Sequence, residues 1–302
     1  MERIAREMRD AGVEEVRVDE PLSRHTTWKV GGPADILVYP HSKDELERAM
    51  SVINRHGLPW RVIGRGSNLL VRDGGIRGAV IKLGTGLDDM RVEGDRVIAG
   101  GGYSFVRLSV MAARYGLTGL EFAGGIPGTV GGAVFMNAGA HGSELSRVLE
   151  SAEVLLEDGQ WVRLSKEELG FKYRTSILQA ERRGVVTEAV FHLQEGDRKQ
   201  VADSMARFKD RRRQTQPLQY PCAGSVFRNP PGDHSGRLIE AAGLKGYRIG
   251  DAEVSEQHAN FIINRGHATA NDVLTLIQHI IGTIKEKYGV TLEPEVQVVG
   301  EG

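Results

Sequence analysis

Three short stretches of the 302-residue chain combine side chains that move protons or hold charge. Phe171 to Ser176 reads FKYRTS and sets Tyr173 beside Arg174. An arginine offers a planar fork for a carboxylate or an enolate oxygen, where lysine offers a point charge. Ala223 to Pro230 reads AGSVFRNP. There Gly224 lets the backbone bend beside Ser225, whose hydroxyl can transfer a proton, and Arg228 and Asn229 can hold anionic or amide groups. Near the end, LEPEVQVVG places Glu293 and Glu295 on either side of Pro294, a spacing that puts both on one face of a strand. Each stretch also has an ordinary reading: a surface Tyr-Arg pair, a structural turn, or two solvated acids on an exposed edge.

Other chemistries fit less well. The serine is not in a G-x-S-x-G elbow, because residue 222 is cysteine and residue 227 is phenylalanine. A Ser-His-Asp hydrolase stays open with nine histidines, but no spacing identifies a partner. Cys222 as a nucleophile has the same weakness, and an inert, partly buried thiol is the better reading. A single cysteine excludes an intrachain disulfide and leaves too few thiolates for structural zinc, so no metal is expected.

Two glycine-rich stretches are the elements that must position these groups. Leu120 to Gly142, LEFAGGIPGTVGGAVFMNAGAHG, has Glu121 as its only carboxylate and no lysine or arginine. Gly64 to Leu70, GRGSNLL, follows the strand-like run Trp60 to Ile63 and adds a serine hydroxyl and an asparagine amide. Glycines let the main chain approach a bound group closely and present peptide N–H donors, which suits a phosphate-bearing cofactor. A tight core turn is the plain alternative for one such loop; two are harder to dismiss. No G-x-G-x-x-G or G-x-x-x-x-G-K-[ST] sequence occurs, so neither loop is a Rossmann or P-loop fingerprint.

Composition narrows the class. With 40% hydrophobic and 26% charged residues, the chain has room for two or three packed units. A net charge of -1 argues against nucleic-acid binding. Lys209 to Arg213, KDRRR, reads as a solvated helix face or an anion contact. The amino-terminal segment MERIAREMRDAG is charged and amphipathic, and no run of about 18 apolar residues occurs. The expectation is a cytosolic monomer acting on small molecules, with no membrane or nucleic-acid partner.

The pattern predicts a helix over residues 1–12 and a strand-rich segment from Pro21 to Tyr39 with a turn at Gly31, Gly32 and Pro33. Ser42 with Glu45 forms a capping-box signal for a helix through Arg55. Turns follow at Asp73-Gly74 and Gly94-Asp95, and a helix spans Ser104 to Tyr115. Leu120 to Gly142 reads as a loop. A hairpin turns at Asp158-Gly159, and a strand covers Val185 to Leu193. Further helices cover Lys199 to Arg213, Ser235 to Ala242 and Ala270 to Tyr288, with strands at Ala259 to Asn264 and at the end of the chain. Helices and strands are interspersed without strict alternation, which favours α+β.

The two glycine loops, Tyr173-Arg174, Gly224-Ser225-Val226-Phe227 and Pro294-Glu295-Val296 occur in the order found in the UDP-N-acetylenolpyruvoylglucosamine reductase family, which this chain resembles from about Pro21 to Gly300. The resemblance is to the branch without an extra tyrosine-bearing insertion, because the chain passes quickly from Gly246-Tyr247 to VSEQHANFIIN. It implies a two-part FAD-binding domain of the vanillyl-alcohol-oxidase type plus a smaller C-terminal α+β substrate domain. The boundaries it implies are residues 1–84, 85–205 and 206–302, with the terminal strand returning to the active site.

What the resemblance further implies is reduction of the enolpyruvyl ether of UDP-N-acetylglucosamine to UDP-N-acetylmuramate, with NADPH as donor and FAD as carrier. Arg174 and Glu295 would stabilise the enolate and Ser225 would protonate it, with Glu293 a possible neighbour raising the Glu295 pKa. The cofactor set carried over is Gly64, Arg65, Gly66, Ser67, Asn68, Leu69, Ala123, Gly124, Gly125, Gly128, Thr129, Gly132 and Asn137, with Arg228 alongside. Tyr173, Gln216, Asn229, Ser255, His258 and Asn260 are candidates for the substrate, and each can equally be a satisfied structural group. Two rivals stay open: another FAD-dependent oxidase or dehydrogenase of the same fold, with His141 or Cys222 as a conceivable tether, and a non-catalytic nucleotide-sugar binding protein.

Overall fold

The computed structural model describes all 302 residues. They form two compact units, each assembled from separated segments. The first comprises Met1–Val18, Ile36–Gly64 and Gly78–Arg212; the second comprises Asp19–Asp35, Arg65–Arg77 and Arg213–Gly302.

In the first unit, α1 (Glu2–Asp10) buries Ala5 and Met8. The next helix, α2 (Lys43–Arg55), starts where the Ser42 hydroxyl accepts the Glu45 N–H at 3.1 Å. The expected capping box is only half formed. Glu45 turns its carboxylate to the N–H groups of Glu14 and His41, at 3.3 and 3.4 Å, and so ties α2 to the chain behind it. Both helices share a core with Ile36, Val38, Trp60, Ala79 and Ile81. Strand Trp60–Val62 there runs parallel to Ile76–Ile81.

A second core lies on a five-stranded antiparallel sheet in the order Trp161–Ser165, Leu149–Leu156, Gly184–His192, Arg96–Gly100, Met90–Glu93. Turns at Gly94-Asp95 and Asp158-Gly159 join its hairpins, as the sequence predicts. Against it pack α3 (Phe105–Arg114), capped by Ser104, and the edge-to-face ring pair Phe105 and Phe122. The stretch from Leu120 to Gly142 is not all loop. A 3₁₀ turn covers Glu121–Gly125, and α4 spans Val130–Met136. Glycines disfavour a helix by about 1 kcal/mol each, but here the Thr129 hydroxyl caps the Gly132 N–H at 3.2 Å and Val130, Ala133 and Val134 are buried. The polar helix α5 spans Arg198–Thr215 and buries only Val201.

In the second unit, α6 (Ser235–Ala241) and α7 (Ala270–Tyr288) share a core with the antiparallel strands Arg248–Ile249, Ala252–Val254 and Ile262–Asn264. A Thr269–Asp272 capping box starts α7, and the Asp73 carboxylate accepts the N–H groups of Ala270 and Asn271 at 2.8 and 2.9 Å. Leu69–Val71 pairs in parallel with Gln297–Val299. Glu293 and Glu295 precede that strand; Glu293 is exposed and Glu295 half-buried. Pro294, which lacks an N–H for a ladder, instead forms an isolated bridge with Phe227.

The segment Pro21 to Tyr39 is likewise less regular than its pattern. Its strands end at Pro21 and resume at Pro33. Between them Trp28 is fully buried and donates its indole N–H to the Ile262 carbonyl at 2.7 Å. Asn264 completes the anchor: Nδ2 donates to the Trp28 carbonyl at 3.0 Å, and Oδ1 accepts the N–H groups of Gly266 and Ala268 at 2.8 and 3.0 Å. Asn264→Ala leaves the buried Trp28 carbonyl and Ala268 N–H unpaired and gives up the Gly266 N–H to solvent. It should lower stability in urea by about 3 kcal/mol; a loss under about 1 kcal/mol would show that the anchor is dispensable.

Candidate active site

The two glycine stretches meet at Gly64. A Cβ on Gly64 would lie 2.5 Å from Thr129 Oγ1, so only glycine lets the first loop start this close to the cap of α4. Two residues on, Gly66 has φ +63° and rests against the segment before Trp28: a Cβ there would lie 2.5 Å from the His25 carbonyl oxygen. The Gly66 carbonyl accepts the Thr27 N–H at 3.4 Å. The sequence reading missed His25 to Thr27 as the backing of the loop, and the pair of threonines beside a buried tryptophan was its only signal. The Asn68 amide donates to the Glu295 carbonyl at 3.2 Å, and the Asn68 carbonyl accepts the Gln297 N–H at 2.9 Å. Leu69 lies opposite Gln297 in the parallel ladder.

From Arg65 to Leu69 the first loop carries peptide N–H groups, the Ser67 hydroxyl, the Asn68 amide and the exposed Arg65. Such a set fits a diphosphate held chiefly by backbone dipoles. In the second stretch Ala123 is fully buried, and the Gly128 carbonyl accepts the Phe105 N–H at 3.1 Å. Gly124 faces Met205 and Gly125 faces Arg212, both side chains of α5. Asn137 is fully buried in left-handed conformation, with Nδ2 donating to the Lys172 carbonyl and Oδ1 accepting the Ser146 N–H. Its amide thus holds the neighbour of the Tyr-Arg pair rather than facing a ligand directly.

Arg174 belongs to the first unit and is held by the end of α4. Its φ of +55° is uncommon for a side chain of this size. The Gln179 amide donates to both the Arg174 and the Phe135 carbonyls, and Ser176 Oγ donates to the Phe135 carbonyl. The guanidinium donates to the Gly139 carbonyl at 2.7 Å and lies 5.1 Å from the ring centre of the half-exposed Tyr173. Nearby, the His141 ring stacks on Phe208 with centroids 4.1 Å apart. Burial, with Arg211 and Arg212 close by, holds its pKa below the usual histidine range.

Ser225 and Glu295 come together in the second unit. Gly224, at φ +76°, turns the chain into Ser225. The next peptide is gripped on both sides: Val226 N–H donates to the Asn260 carbonyl at 2.9 Å, and the Val226 carbonyl accepts the Glu295 N–H at 2.7 Å. Arg228 N–H donates to the Glu293 carbonyl at 2.9 Å, continuing the pairing. The Arg228 carbonyl accepts the Ser235 hydroxyl, and Asn229 Oδ1 accepts the Ser235 N–H. Cys222 is half-buried and bridged to Ile263.

Among the substrate candidates, Asn260 is buried and uses both ends of its amide on the Phe227 backbone. Ser255 is buried, and its Oγ accepts the N–H groups of Gln257 and His258. These two are committed to local structure. Gln216 is half-buried just past α5, and its carbonyl accepts the Leu218 N–H. No group of three or more histidine, cysteine or carboxylate side chains is placed to hold a metal ion.

Residues 216–299 match the family described as "UDP-N-acetylenolpyruvoylglucosamine reductase, C-terminal domain". Residues 34–165 match the family described as "FAD binding domain". The chain is 54% identical over 300 residues to the UDP-N-acetylenolpyruvoylglucosamine reductases of Anoxybacillus flavithermus and Bacillus subtilis, covering 99% of this chain and 99% of each relative. The chain belongs to the UDP-N-acetylenolpyruvoylglucosamine reductase family. A solved reductase structure from Thermus caldophilus is 41% identical, with a TM-score of 0.81 over 94% of this chain and 98% of that one. Membership in the reductase family agrees with the α+β fold described above. A more distant likeness, to a berberine bridge enzyme variant at 12% identity and TM-score 0.51, covers 65% of this chain and 44% of that one and shows shared fold alone.

If the contact at Gly64 sets the loop for FAD, Gly64→Ala should lower the flavin retained through gel filtration about tenfold, with the far-ultraviolet spectrum unchanged. That loss corresponds to about 1.4 kcal/mol of binding. Undiminished flavin in the variant would contradict the assignment.

Proposed function

We propose that this chain reduces UDP-N-acetylglucosamine enolpyruvate to UDP-N-acetylmuramate with NADPH, a step in peptidoglycan precursor synthesis, and that Arg174, Ser225 and Glu295 carry the chemistry. The observation that supports the assignment best is the junction in the second unit, where the Asn68 side-chain amide bonds the Glu295 carbonyl and the Glu295 N–H bonds the carbonyl of Val226, the residue after Ser225. FAD, held by the two glycine-rich stretches, would supply hydride transfer between NADPH and the terminal vinyl carbon of the substrate.

Addition at that carbon leaves negative charge on the carbon beside the substrate carboxylate, spread into the carboxylate as an enolate. Arg174 meets this charge with a guanidinium whose direction is fixed before reaction by the turn that holds it, so little reorganisation is needed. Glu295 is assigned to the same enolate. The Ser225 hydroxyl gives its proton to the carbon beside the carboxylate, and solvent restores it. Serine is a weak acid, but an enolate is a strong base, so transfer is downhill once the two are held in line. The loop residues Arg65 to Leu69 and the stretch Ala123 to Gly132 hold FAD through peptide donors. Arg228 is assigned to the cofactor, and Tyr173, Gln216 and Asn229 to the sugar nucleotide.

No helix is long and apolar enough to cross a membrane. We infer a cytosolic monomer, in line with the single cysteine and with substrates that are both soluble nucleotides.

The purified protein should be yellow, bleach with NADPH and regain its colour on adding the enolpyruvyl sugar nucleotide; a colourless protein that binds the nucleotide without turnover would contradict the function. Ser225→Ala should slow consumption of the enolpyruvyl substrate by about 10²- to 10⁴-fold, the usual contribution of a positioned acid, while bleaching by NADPH stays near the wild-type rate. Equal losses in the two steps would remove Ser225 from the proton transfer.

A further inference from the structure

One titratable side chain outside the catalytic set is joined to it by an unbroken series of hydrogen bonds. The turn Ser255 to Phe261 closes on itself: Ser255 N–H donates to the Phe261 carbonyl at 2.9 Å, and Phe261 N–H donates to the His258 carbonyl at 3.0 Å. At its centre His258 Nδ1 accepts the Asn260 N–H at 3.2 Å. Asn260, only 5% exposed, then spends its remaining polar groups on the Ser225 loop. Its carbonyl accepts Val226 N–H at 2.9 Å, its Oδ1 accepts Phe227 N–H at 3.0 Å, and its Nδ2 donates to the Phe227 carbonyl at 2.9 Å. The Val226 carbonyl in turn accepts the Glu295 N–H.

We propose that His258 is a positioning residue: its Nδ1 lone pair fixes Asn260, and through Asn260 the segment that presents Ser225 and Glu295, so that full activity requires this nitrogen to be unprotonated. The proposal rests on the reading of Ser225 as proton donor. An imidazole that accepts at Nδ1 must carry its single proton on Nε2. A second proton would set an N–H against the Asn260 N–H and break the first link. A misplacement of about 1 Å at a reacting group can cost about 10²-fold in rate, so a small shift of Asn260 suffices.

The surroundings keep the ring neutral. Burial is the largest influence and holds the His258 pKa below the usual histidine range; a hydrogen bond with its own backbone and the charge of Glu240 act against it, Lys245 acts with it, and Lys245 and Glu240 pair with each other at 2.7 Å. The Phe261 ring, centred 4.6 Å away, and the backbone of Gly236 complete the contacts. In the unfolded chain His258 binds a proton at higher pH than in the fold. The fold therefore keeps its full stability above about pH 6.5 and loses part of it as pH falls through the lowered pKa. Activity should fall in the same window.

The test uses the holoenzyme and three variants. In the wild type, substrate reduction should drop at least about tenfold from pH 8 to about pH 5, and histidine ¹⁵N spectra at pH 8 should show His258 protonated only on Nε2. His258→Asn places an amide oxygen near the Nδ1 position and does not titrate, so its drop should be less than about threefold. His258→Ala removes the acceptor and should be slow at every pH, with bleaching by NADPH little changed. The same acid limb in His258→Asn, or a proton on Nδ1 at pH 8, overturns the proposal while Ser225→Ala remains slow. Wild-type turnover by Ser225→Ala overturns instead the proton-donor reading.

Discussion

A single peptide hydrogen bond, 2.7 Å from the Glu295 N–H to the Val226 carbonyl, joins the two segments that carry Ser225 and Glu295, the groups proposed for catalysis in the second unit. Each segment is fastened on its far side as well: Val226 by Asn260, and the Glu295 peptide by Asn68. Backbone groups and the Asn68 side-chain amide make these bonds, so the main chain on both sides of the junction is fixed. Holding a weak acid such as serine in line by rigid backbone pairing replaces acidity with placement. The flanking residues accordingly pack well: Val226 and Phe227 are buried to 1% exposure or less.

On the cofactor side the governing constraint is space. Gly64 and Gly66 permit backbone approaches that a Cβ would forbid, one to the cap of α4 and one to the His25 carbonyl. These contacts stiffen a loop that carries few side-chain charges, so its peptide dipoles can face a diphosphate without large rearrangement. The end of α4 extends the same economy to Arg174. Its unusual φ is held by Gln179 and by the buried Asn137, which fixes the preceding Lys172 carbonyl. Strain of this sort persists only where the surroundings determine the conformation several times over.

Much of this was legible in the sequence because it depends on local chemistry. The caps at Ser42 and Ser104, the hairpin turns and α7 from Ala270 to Tyr288 follow from residues within a few positions of each other. So did the family, through motifs whose order along the chain is itself informative. What the pattern obscured depends on distant partners. The central stretch holds α4 because Thr129 caps it and the sheet covers it, which outweighs its glycines. Glu293 and Glu295 lie ahead of the terminal strand, on either side of an isolated antiparallel bridge between Pro294 and the distant Phe227. Ser255 and Asn260 resemble ligand-binding residues in one dimension, but their polar atoms are taken by backbone groups that only the fold brings near.

The central claim is that the pairing of Val226 with Glu295 aims the Ser225 hydroxyl at the carbon that must be protonated. A crystal structure of the FAD-loaded enzyme with the enolpyruvyl sugar nucleotide tests it directly. The account predicts Ser225 Oγ about 3 to 3.5 Å from the carbon beside the substrate carboxylate, the separation of a near-attack geometry, with Glu295 on the same enolpyruvyl group. A hydroxyl more than about 5 Å from that carbon, or pointing away from it with the Val226 to Glu295 bond intact, would contradict it.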